Sequence, residues 1–580
     1  MAHLQSDHQD VIVQAIENDS STQLIVIFKN YSKLELMTKL WTPNEQGETL
    51  LILAIKRKRF NVIDLLAKKL RECVRDKKCR SLCLSTFCQI QTNDQVSIVE
   101  VMECLIDPWL LEPRKDEPLW LEFLWNCIKS SSIARQEKID ALELIGSAFL
   151  FIQVKSPSKE MWAPHHGLQC WKEAMDLRYS PGDLAIPKTP YVFTTMAAKA
   201  FVDNSEVLTL EELELLEQES SIYGSPPSWG LASSQWKFYL RVQALLVNQR
   251  IVSQVNNGPY YFHLIHLIRY GWDCNSHRHE HIRAYNICLL IFEQAKSFNS
   301  TTSSPKCIDI FVETLELMLR CFERMREQPA ESPERQELTP LNVMEAIKCC
   351  TVLANLLPVP LVNDKDHNRL HRANMDAYDF VLQLLKYFPH LNKEENKQFE
   401  EYLSRFVHLD VHRGSHSLLH GAINRCMWIY ESDFQRVIDL LLKLDVDPNA
   451  TDRHGKTPLH LLAEKWNETR FSTYGNSAAF ASLFISESLS MVFQSLVDVG
   501  GHLDQATPEG QTVISLLKIQ RTKYTHQDCH FDSYMESVIN TVLPLSCYCA
   551  QSLRQHGFPL DNRLPPSVKS FILRHSALKL

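Results

Sequence analysis

Apolar residues recur every three or four positions along this chain, and no stretch sustains an alternation of apolar and polar residues. That spacing places the apolar side chains on one face of an α-helix. Segments with this spacing come in neighbouring pairs: 139–151 with 167–178, 236–248 with 260–270, and 281–297 with 307–325. Thr209 and Glu212 mark the start of one further helix, since they have the spacing of a capping box. The pattern predicts an all-α protein in which paired helices bury their apolar faces against each other.

A second pattern, a turn followed by two short helices, recurs towards both ends of the chain. In the clearest copy, Gly455 begins the run Gly-Lys-Thr-Pro-Leu-His, and an apolar helix continues to Ala463. Pro458 suits the first turn of a helix, where its missing N–H costs no hydrogen bond. This is the ankyrin pattern, in which we expect the histidine to bond the turn of a neighbouring repeat. Weaker copies begin at Gly47, Gly414 and Gly510.

The two patterns together predict an all-α helical repeat solenoid with ankyrin-like and tetratricopeptide-like units. Its expected parts are an ankyrin-like N-terminal cap (1–75), a helical connector (76–137), a tetratricopeptide-like region (138–400), C-terminal ankyrin repeats (401–535) and a docking tail (536–580).

Composition narrows the class of protein. The net charge of −8 gives no electrostatic case for a nucleic-acid partner. The longest apolar run, 141–154, is about 14 residues and is too short to span a bilayer, so we expect no membrane partner. The 17 cysteines are scattered without a disulfide framework, and the start of the chain carries no signal-peptide pattern. We therefore expect a cytoplasmic protein that can also be nuclear.

No motif for catalysis or cofactor binding is present. The chain lacks the glycine-rich nucleotide loops, the Gly-x-Ser-x-Gly elbow and the His-Glu-x-x-His metal motif. The segment 274–281 is rich in cysteine and histidine, but a turn between helices would make these side chains diverge, so a solvated loop is favoured over zinc. Cys547 and Cys549 are too close for a Cys-x-x-Cys site. We predict no catalytic residue, cofactor or metal; an enzyme with an unrecognised site would need a pocket of converging titratable groups.

The last predicted helix carries one narrow apolar stripe, formed by Leu545, Tyr548, Cys549 and Leu553. Their spacing of i, i+3, i+4 and i+8 suits a helix that inserts into a partner's groove, with Leu545 as the anchor. Taken alone, the stripe fits equally a helix that packs against the repeats. The order of elements favours docking, because the stripe follows the ankyrin-like units and precedes Leu-Pro-Pro-Ser-Val at 564–568.

The spacing Leu-x-x-x-Cys-x-x-x-Leu resembles a BC box, and the later Leu-Pro resembles a cullin box. The segments 138–146 and 171–180 are similar to the central tetratricopeptide region of one family of ankyrin proteins. With the C-terminal repeats and the tail, they make the chain resemble the feminization (Fem) family over about residues 120–580. Members of that family are substrate receptors of cullin-RING ubiquitin ligases.

This resemblance implies Elongin B/C and a cullin of the cullin-2 type as partners. The residues implied to meet Elongin C are Leu545, Tyr548, Cys549 and Leu553. Those implied to meet the cullin are Leu564, Pro565, Val568 and Phe571. The expected function is therefore a non-catalytic adapter or substrate receptor that promotes ubiquitination and degradation of bound proteins. Two questions stay open: the Leu-Pro segment suits more than one box type, and a plain interaction scaffold is the alternative function.

The chain departs from the family at its N-terminus. Family members place a long run of ankyrin repeats there and bind the C-terminal degrons of substrates in its groove. Here the first 70 residues contain one recognisable unit, so no degron-binding residue can be carried over. Either another surface binds substrate, or the substrate arm has been lost, and the sequence leaves the substrate unknown.

Overall fold

A computed structural model describes most of the chain. The described residues are 11–44, 48–74, 96–106, 117–151, 162–202, 204–223, 231–254, 260–295, 305–337, 339, 342, 344–346, 348, 393–408, 418–425, 431–452, 454–471, 489–524, 533–540, 545–556, 564–565, 568–569 and 572.

Helices dominate the described residues, which contain isolated β-bridges but no strand. One such bridge is antiparallel and joins Ala506 to Thr512. The predicted all-α fold of helical repeats is therefore confirmed. The chain divides into two compact units, Met1–Met325 and Arg326–Leu580. This division falls inside the region 138–400, and the five-part division proposed from the sequence stays a prediction.

In the first unit, helical residues 11–17 precede the labelled helices. These are α1 (Ser21–Phe28), α2 (Lys33–Trp41), α3 (Leu50–Lys56), α4 (Phe60–Val74), α5 (Ile98–Ile106), α6 (Glu117–Ser130), α7 (Arg135–Phe151), α8 (Trp162–Arg178), α9 (Thr195–Phe201), α10 (Leu210–Tyr223), α11 (Leu231–Gln254), α12 (Tyr261–Asp273), α13 (His281–Ala295) and α14 (Pro305–Glu327), whose last two residues lie past the division. The predicted capping box of α10 is confirmed: the Thr209 amide donates to the Glu212 carboxylate at 3.2 Å, and the Glu212 amide donates to the Thr209 hydroxyl at 3.2 Å.

Helices α7 and α8 form the closest of the predicted pairs. A Cβ on Gly146 would lie 2.5 Å from Cδ1 of Trp171 and 2.8 Å from the carbonyl oxygen of Gly167. Only glycine leaves room for this approach, because it has no side chain to displace. The indole of Trp171 donates to the carbonyl of Glu143 at 3.0 Å, so the same ring also satisfies a backbone group.

A buried ion network joins α7, α8 and α11. Glu143 accepts from Arg250 at 2.6 Å and from Arg178 at 3.1 Å, and Lys188 lies 3.6 Å away. Glu206 completes the network, 3.0 Å from both Arg250 and Lys188, and every side chain in it is at most 5% exposed. Although burial raises the pKa of Glu143, the charges of Lys188, Arg250 and Arg178 outweigh it and lower that pKa to about 2.

In the second unit, helical residues 489–498 lie between the labelled helices α19 and α20. The labelled helices are α15 (Pro333–Gln336), α16 (Lys393–His408), α17 (Leu418–Arg425), α18 (Glu431–Lys443), α19 (Pro458–Phe471), α20 (Val513–Tyr524), α21 (Ser533–Ile539) and α22 (Leu545–Gln555). Arg521 pairs with Glu536 at 3.0 Å, which ties α20 to α21.

Two buried histidines link successive helices of this unit to the following turn. His420 donates through Nε2 to the carbonyl of Lys456 at 2.9 Å, and His460 donates to the carbonyl of Gln511 at 3.2 Å. The hydroxyl of Thr457 lies 2.7 Å from Nδ1 of His460 and fixes its ring. The clearest of the predicted ankyrin units, which contains Thr457 and His460, therefore makes the predicted hydrogen bond from its histidine to the following turn. The starting glycines Gly47 and Gly414 lie outside the described residues.

Candidate functional site

Helix α22 presents the predicted apolar stripe to solvent. Leu545 is 77% exposed and Tyr548 is 44% exposed. Cys549 is also exposed, whereas Leu553 is half-buried. With about 100° of rotation per residue, the first three side chains fall on one side of the helix and Leu553 falls at its edge. The stripe is thus an outward surface along most of its length.

The opposite side of α22 attaches the helix to the second unit. Cys547 and Ala550 are each 2% exposed, and they lie three residues apart, one turn along the same face. Both side chains are small, so the backbone of α22 lies close to what it covers. A helix held by this narrow face leaves its broad outer face accessible.

Cys547 fastens the start of α22 to the segment that precedes α20. Its thiol donates to the carboxylate of Asp504, which is 1% exposed. Burial raises the pKa of the Cys547 thiol to about 11, and the Asp504 charge acts in the same direction. This side chain, which the sequence pattern did not single out for the stripe, is the one that positions it.

The residues implied to meet a cullin are only partly described. Leu564 is half-buried and Pro565 is exposed. Val568 is 41% exposed, and the amide of Lys569 donates to the Pro565 carbonyl at 3.0 Å, which closes one helical turn. Phe571 lies outside the described residues. The segment after Leu564 therefore exposes two apolar side chains, those of Pro565 and Val568.

Comparison with curated proteins finds fem-1 homologs among the similar proteins. The chain is 21% identical to protein fem-1 homolog A of Danio rerio over 487 residues, which cover 78% of this chain and 63% of that protein. It is 22% identical to protein fem-1 homolog C of Danio rerio over 452 residues, with 76% and 61% covered. It is 20% identical to protein fem-1 homolog A of Homo sapiens, with 79% and 59% covered. This chain is similar to proteins of the Fem family over about three quarters of its length.

The match to these relatives is partial. The chain spans about 60% of the length of the Fem proteins that it matches, and no family model matches it. In the N-terminal part of the chain, α3 and α4 form the predicted helix-turn-helix, and residues 50–55 of α3 are buried.

The cysteine- and histidine-rich segment of the chain forms a π-helical turn, Cys274–Arg278, between α12 and α13. His277 and His279 are exposed, whereas Cys274 and His281 are buried. Nδ1 of His281 lies 2.7 Å from the side-chain oxygen of Asn275. The turn spreads these side chains in different directions, as the sequence pattern predicted.

One pocket in the first unit bears on the enzyme alternative. It is lined by Phe151, Arg241, His266, Arg269, Tyr270 and Asp273. Asp273 is paired with Arg241 at 2.9 Å. Burial holds the pKa of His266 well below its usual range, and its ring stacks on Phe151 with centroids 3.7 Å apart. These lining residues supply no nucleophile paired with a base.

Sequence reasoning missed the groups that surround Cys547. His502 and Asp504 lie more than 40 positions earlier in the chain. Sequence reasoning assigned them only to the turn of a weak ankyrin-like copy, and no local signal connects that turn to Cys547. The burial of Ala550 could not be predicted from the sequence either, since an alanine fits either face of a helix.

No membrane-spanning helix is found in the part of the chain that the structure describes: each helix there is too short or too polar to cross a bilayer.

Proposed function

We propose that this chain is a non-catalytic adapter or substrate-receptor subunit of a cullin-RING ubiquitin ligase, and that α22 docks Elongin C of the Elongin B/C pair. The observation that carries the proposal is the exposure of the stripe on a helix whose opposite face is already buried. A stripe that only packed internally would face the other way. The similarity to fem-1 homologs supports the same assignment.

Leu545 is the proposed anchor of the interface. An isolated exposed leucine needs no explanation, but this one shares its face with Tyr548 and Cys549. Burying a leucine side chain contributes about 1.5–3 kcal/mol. Leu545 keeps 77% of its surface for a partner, so its truncation is expected to weaken binding about 10- to 50-fold.

The segment around Pro565 and Val568 is the proposed cullin contact, with a cullin of the cullin-2 type as the partner. Its short turn exposes apolar surface separately from α22. The two contacts therefore predict separable losses: a change at Val568 weakens cullin binding and spares Elongin B/C. The proposal includes a cytoplasmic or nuclear location.

The test compares binding of purified Elongin B/C to the full-length chain and to two leucine variants. Leu545→Asp is expected to abolish binding, because it places a charge in an apolar groove. Leu184→Asp is the matched control, since Leu184 is 89% exposed and lies in the other unit. Both variants are expected to unfold within about 1 °C of the parent, because surface changes are within ±0.5 kcal/mol.

Two results would contradict the proposal: no Elongin B/C binding by folded parent chain, or equal binding by the parent and Leu545→Asp. Either would favour the second candidate, an interaction scaffold that recruits no ligase. The half-burial of Leu553 is the observation in favour of that candidate, because it shows that part of the stripe already has contacts within the chain.

A further inference from the structure

Three side chains with different metal-binding atoms meet at the start of α22. A nitrogen of His502, a carboxylate oxygen of Asp504 and the sulfur of Cys547 all lie within 4.8 Å of one another. Asp504 and Cys547 are buried, and His502 is half-buried. We propose that these three residues form a zinc-binding site that fastens α22 to the segment before α20. The site goes beyond the proposed docking function and does not depend on it.

The backbone around His502 is fixed before any metal binds. The side-chain amide of Asn449 donates to the Gly500 carbonyl at 2.9 Å and accepts from the His502 amide at 2.8 Å. A Cβ on Gly501 would lie 2.7 Å from the carbonyl oxygen of Leu496, so the chain passes where only glycine fits. The backbone at His502 is therefore held in place, and this fixes the direction in which its side chain starts.

Asp504 is held in the same way from its other side. The amide of Ile514 donates to the Leu503 carbonyl at 3.4 Å, and the amide of Thr507 donates to the Gln511 carbonyl at 2.9 Å. These bonds place a carboxylate that is only 1% exposed. A buried carboxylate is costly unless it is paired or coordinates a metal. The Cys547 thiol donates to this carboxylate, and a zinc ion would turn that thiol into a second negative ligand.

The ligand types select zinc over the harder cations. Thiolate, imidazole and carboxylate together suit Zn²⁺, whereas Mg²⁺ and Ca²⁺ take oxygen ligands. Zinc bonds of about 2.0–2.3 Å in a tetrahedron place ligand atoms roughly 3.3–3.6 Å apart. The ligand atoms lie within 4.8 Å of one another, so binding requires a closure of no more than about 1.5 Å. We expect rotation of the side chains to supply it. Three ligands leave the fourth position to water.

Coordination changes how α22 is held. The thiol of Cys547 releases its proton to solvent when it binds the ion, and the hydrogen bond to Asp504 is replaced by two metal–ligand bonds. Cys547 is the third residue of α22, so the ion would fix the end of the helix that carries Leu545. The apolar stripe would then project from a fixed base.

The experiment uses the full-length chain, produced without a histidine tag and purified without chelator. We expect one zinc ion per chain by mass spectrometry of the metal. Replacement by Co²⁺ is expected to give a sulfur-to-cobalt charge-transfer band in the near ultraviolet. Because the chain has 17 cysteines, the total zinc content does not identify the ligands. Variants of the proposed ligands do.

Cys547→Ser is expected to lose the cobalt band and to weaken zinc binding roughly a hundredfold or more, since loss of an outer-shell partner alone costs about 10- to 100-fold. Cys549→Ser is the matched control: it makes the same change two residues away, on the exposed face. Asp504→Asn keeps the shape of the side chain but removes its charge. It is expected to weaken zinc binding as well, and it serves as a second test if Cys547→Ser folds poorly.

Alkylation supplies a readout that needs no variant. Because Cys547 is only 2% exposed without a metal, the reaction is followed at a urea concentration that loosens α22. There zinc is expected to slow the reaction of Cys547 with a maleimide, while the exposed Cys549 reacts equally fast with and without zinc. The proposal is overturned if the folded parent chain binds neither Zn²⁺ nor Co²⁺ at micromolar free metal, or if Cys547→Ser and Asp504→Asn bind as the parent does. Those results would mean that α22 is attached without a metal ion, by the thiol–carboxylate hydrogen bond together with the buried face of the helix.

Discussion

Removing the charge of Glu143 tests the buried network of the first unit most directly. The variant Glu143→Gln keeps the size of the side chain and leaves Arg178, Lys188 and Arg250 with Glu206 as their remaining carboxylate. Breaking a buried ion pair by removing one partner typically costs about 3–5 kcal/mol, because the remaining charge stays buried without compensation. We therefore expect the first unit to become markedly less stable.

The pKa of Glu143 provides an independent magnitude. Its fall from the ordinary value of 4.5 to about 2 corresponds to about 3 kcal/mol at neutral pH. Because the folded pKa lies below the unfolded one, this contribution is complete above pH 4.5 and is lost as the pH falls towards 2. The difference between the parent chain and Glu143→Gln should therefore shrink over that interval.

Urea unfolding followed by tryptophan fluorescence is the assay. Apart from Trp428 and Trp466, the 11 tryptophans lie in the first unit, so fluorescence reports mainly on it. A loss of about 3 kcal/mol lowers the urea midpoint by about 1 M for a slope near 3 kcal/mol per M. The control is Glu211→Gln, the same change at an exposed position of α10. A midpoint for Glu143→Gln equal to that of the control would refute the reasoning.

Two further predictions concern α7. Gly146→Ala should reduce the free energy of unfolding of the first unit by about 2 kcal/mol or more, and so lower its urea midpoint. The reason is that the added Cβ would lie 2.5 Å from Trp171 and 2.8 Å from backbone. An unchanged midpoint would contradict the close approach of α7 and α8. Burial, with the charge of Glu143, raises the pKa of Asp140 to about 6 against the hydrogen bond from Gln136. Stability is therefore lost as pH rises from 3.8 to about 6. Asp140→Asn should raise the free energy of urea unfolding at pH 7 by about 1–3 kcal/mol and leave it unchanged at pH 3.5; no gain at pH 7 would count against the reasoning.

Local spacing determined the elements of this protein. The helix pairs, the capping box at Thr209 and the stripe from Leu545 to Leu553 follow from distances of three and four residues within one helix. Such patterns can be seen in the sequence because one turn of a helix needs only its neighbours along the chain. The turn at 274–281 was predictable for the same reason.

Tertiary structure alone decided which groups meet. Glu143 and Arg250 are 107 positions apart and pair at 2.6 Å, and no pattern in either helix announces that contact. Spacing defined the stripe on α22, but its outward direction depends on the burial of Cys547 and Ala550. The meeting of Cys547 with His502 and Asp504 is of the same kind. A helical pattern specifies a face, whereas the packing of distant segments specifies what that face touches.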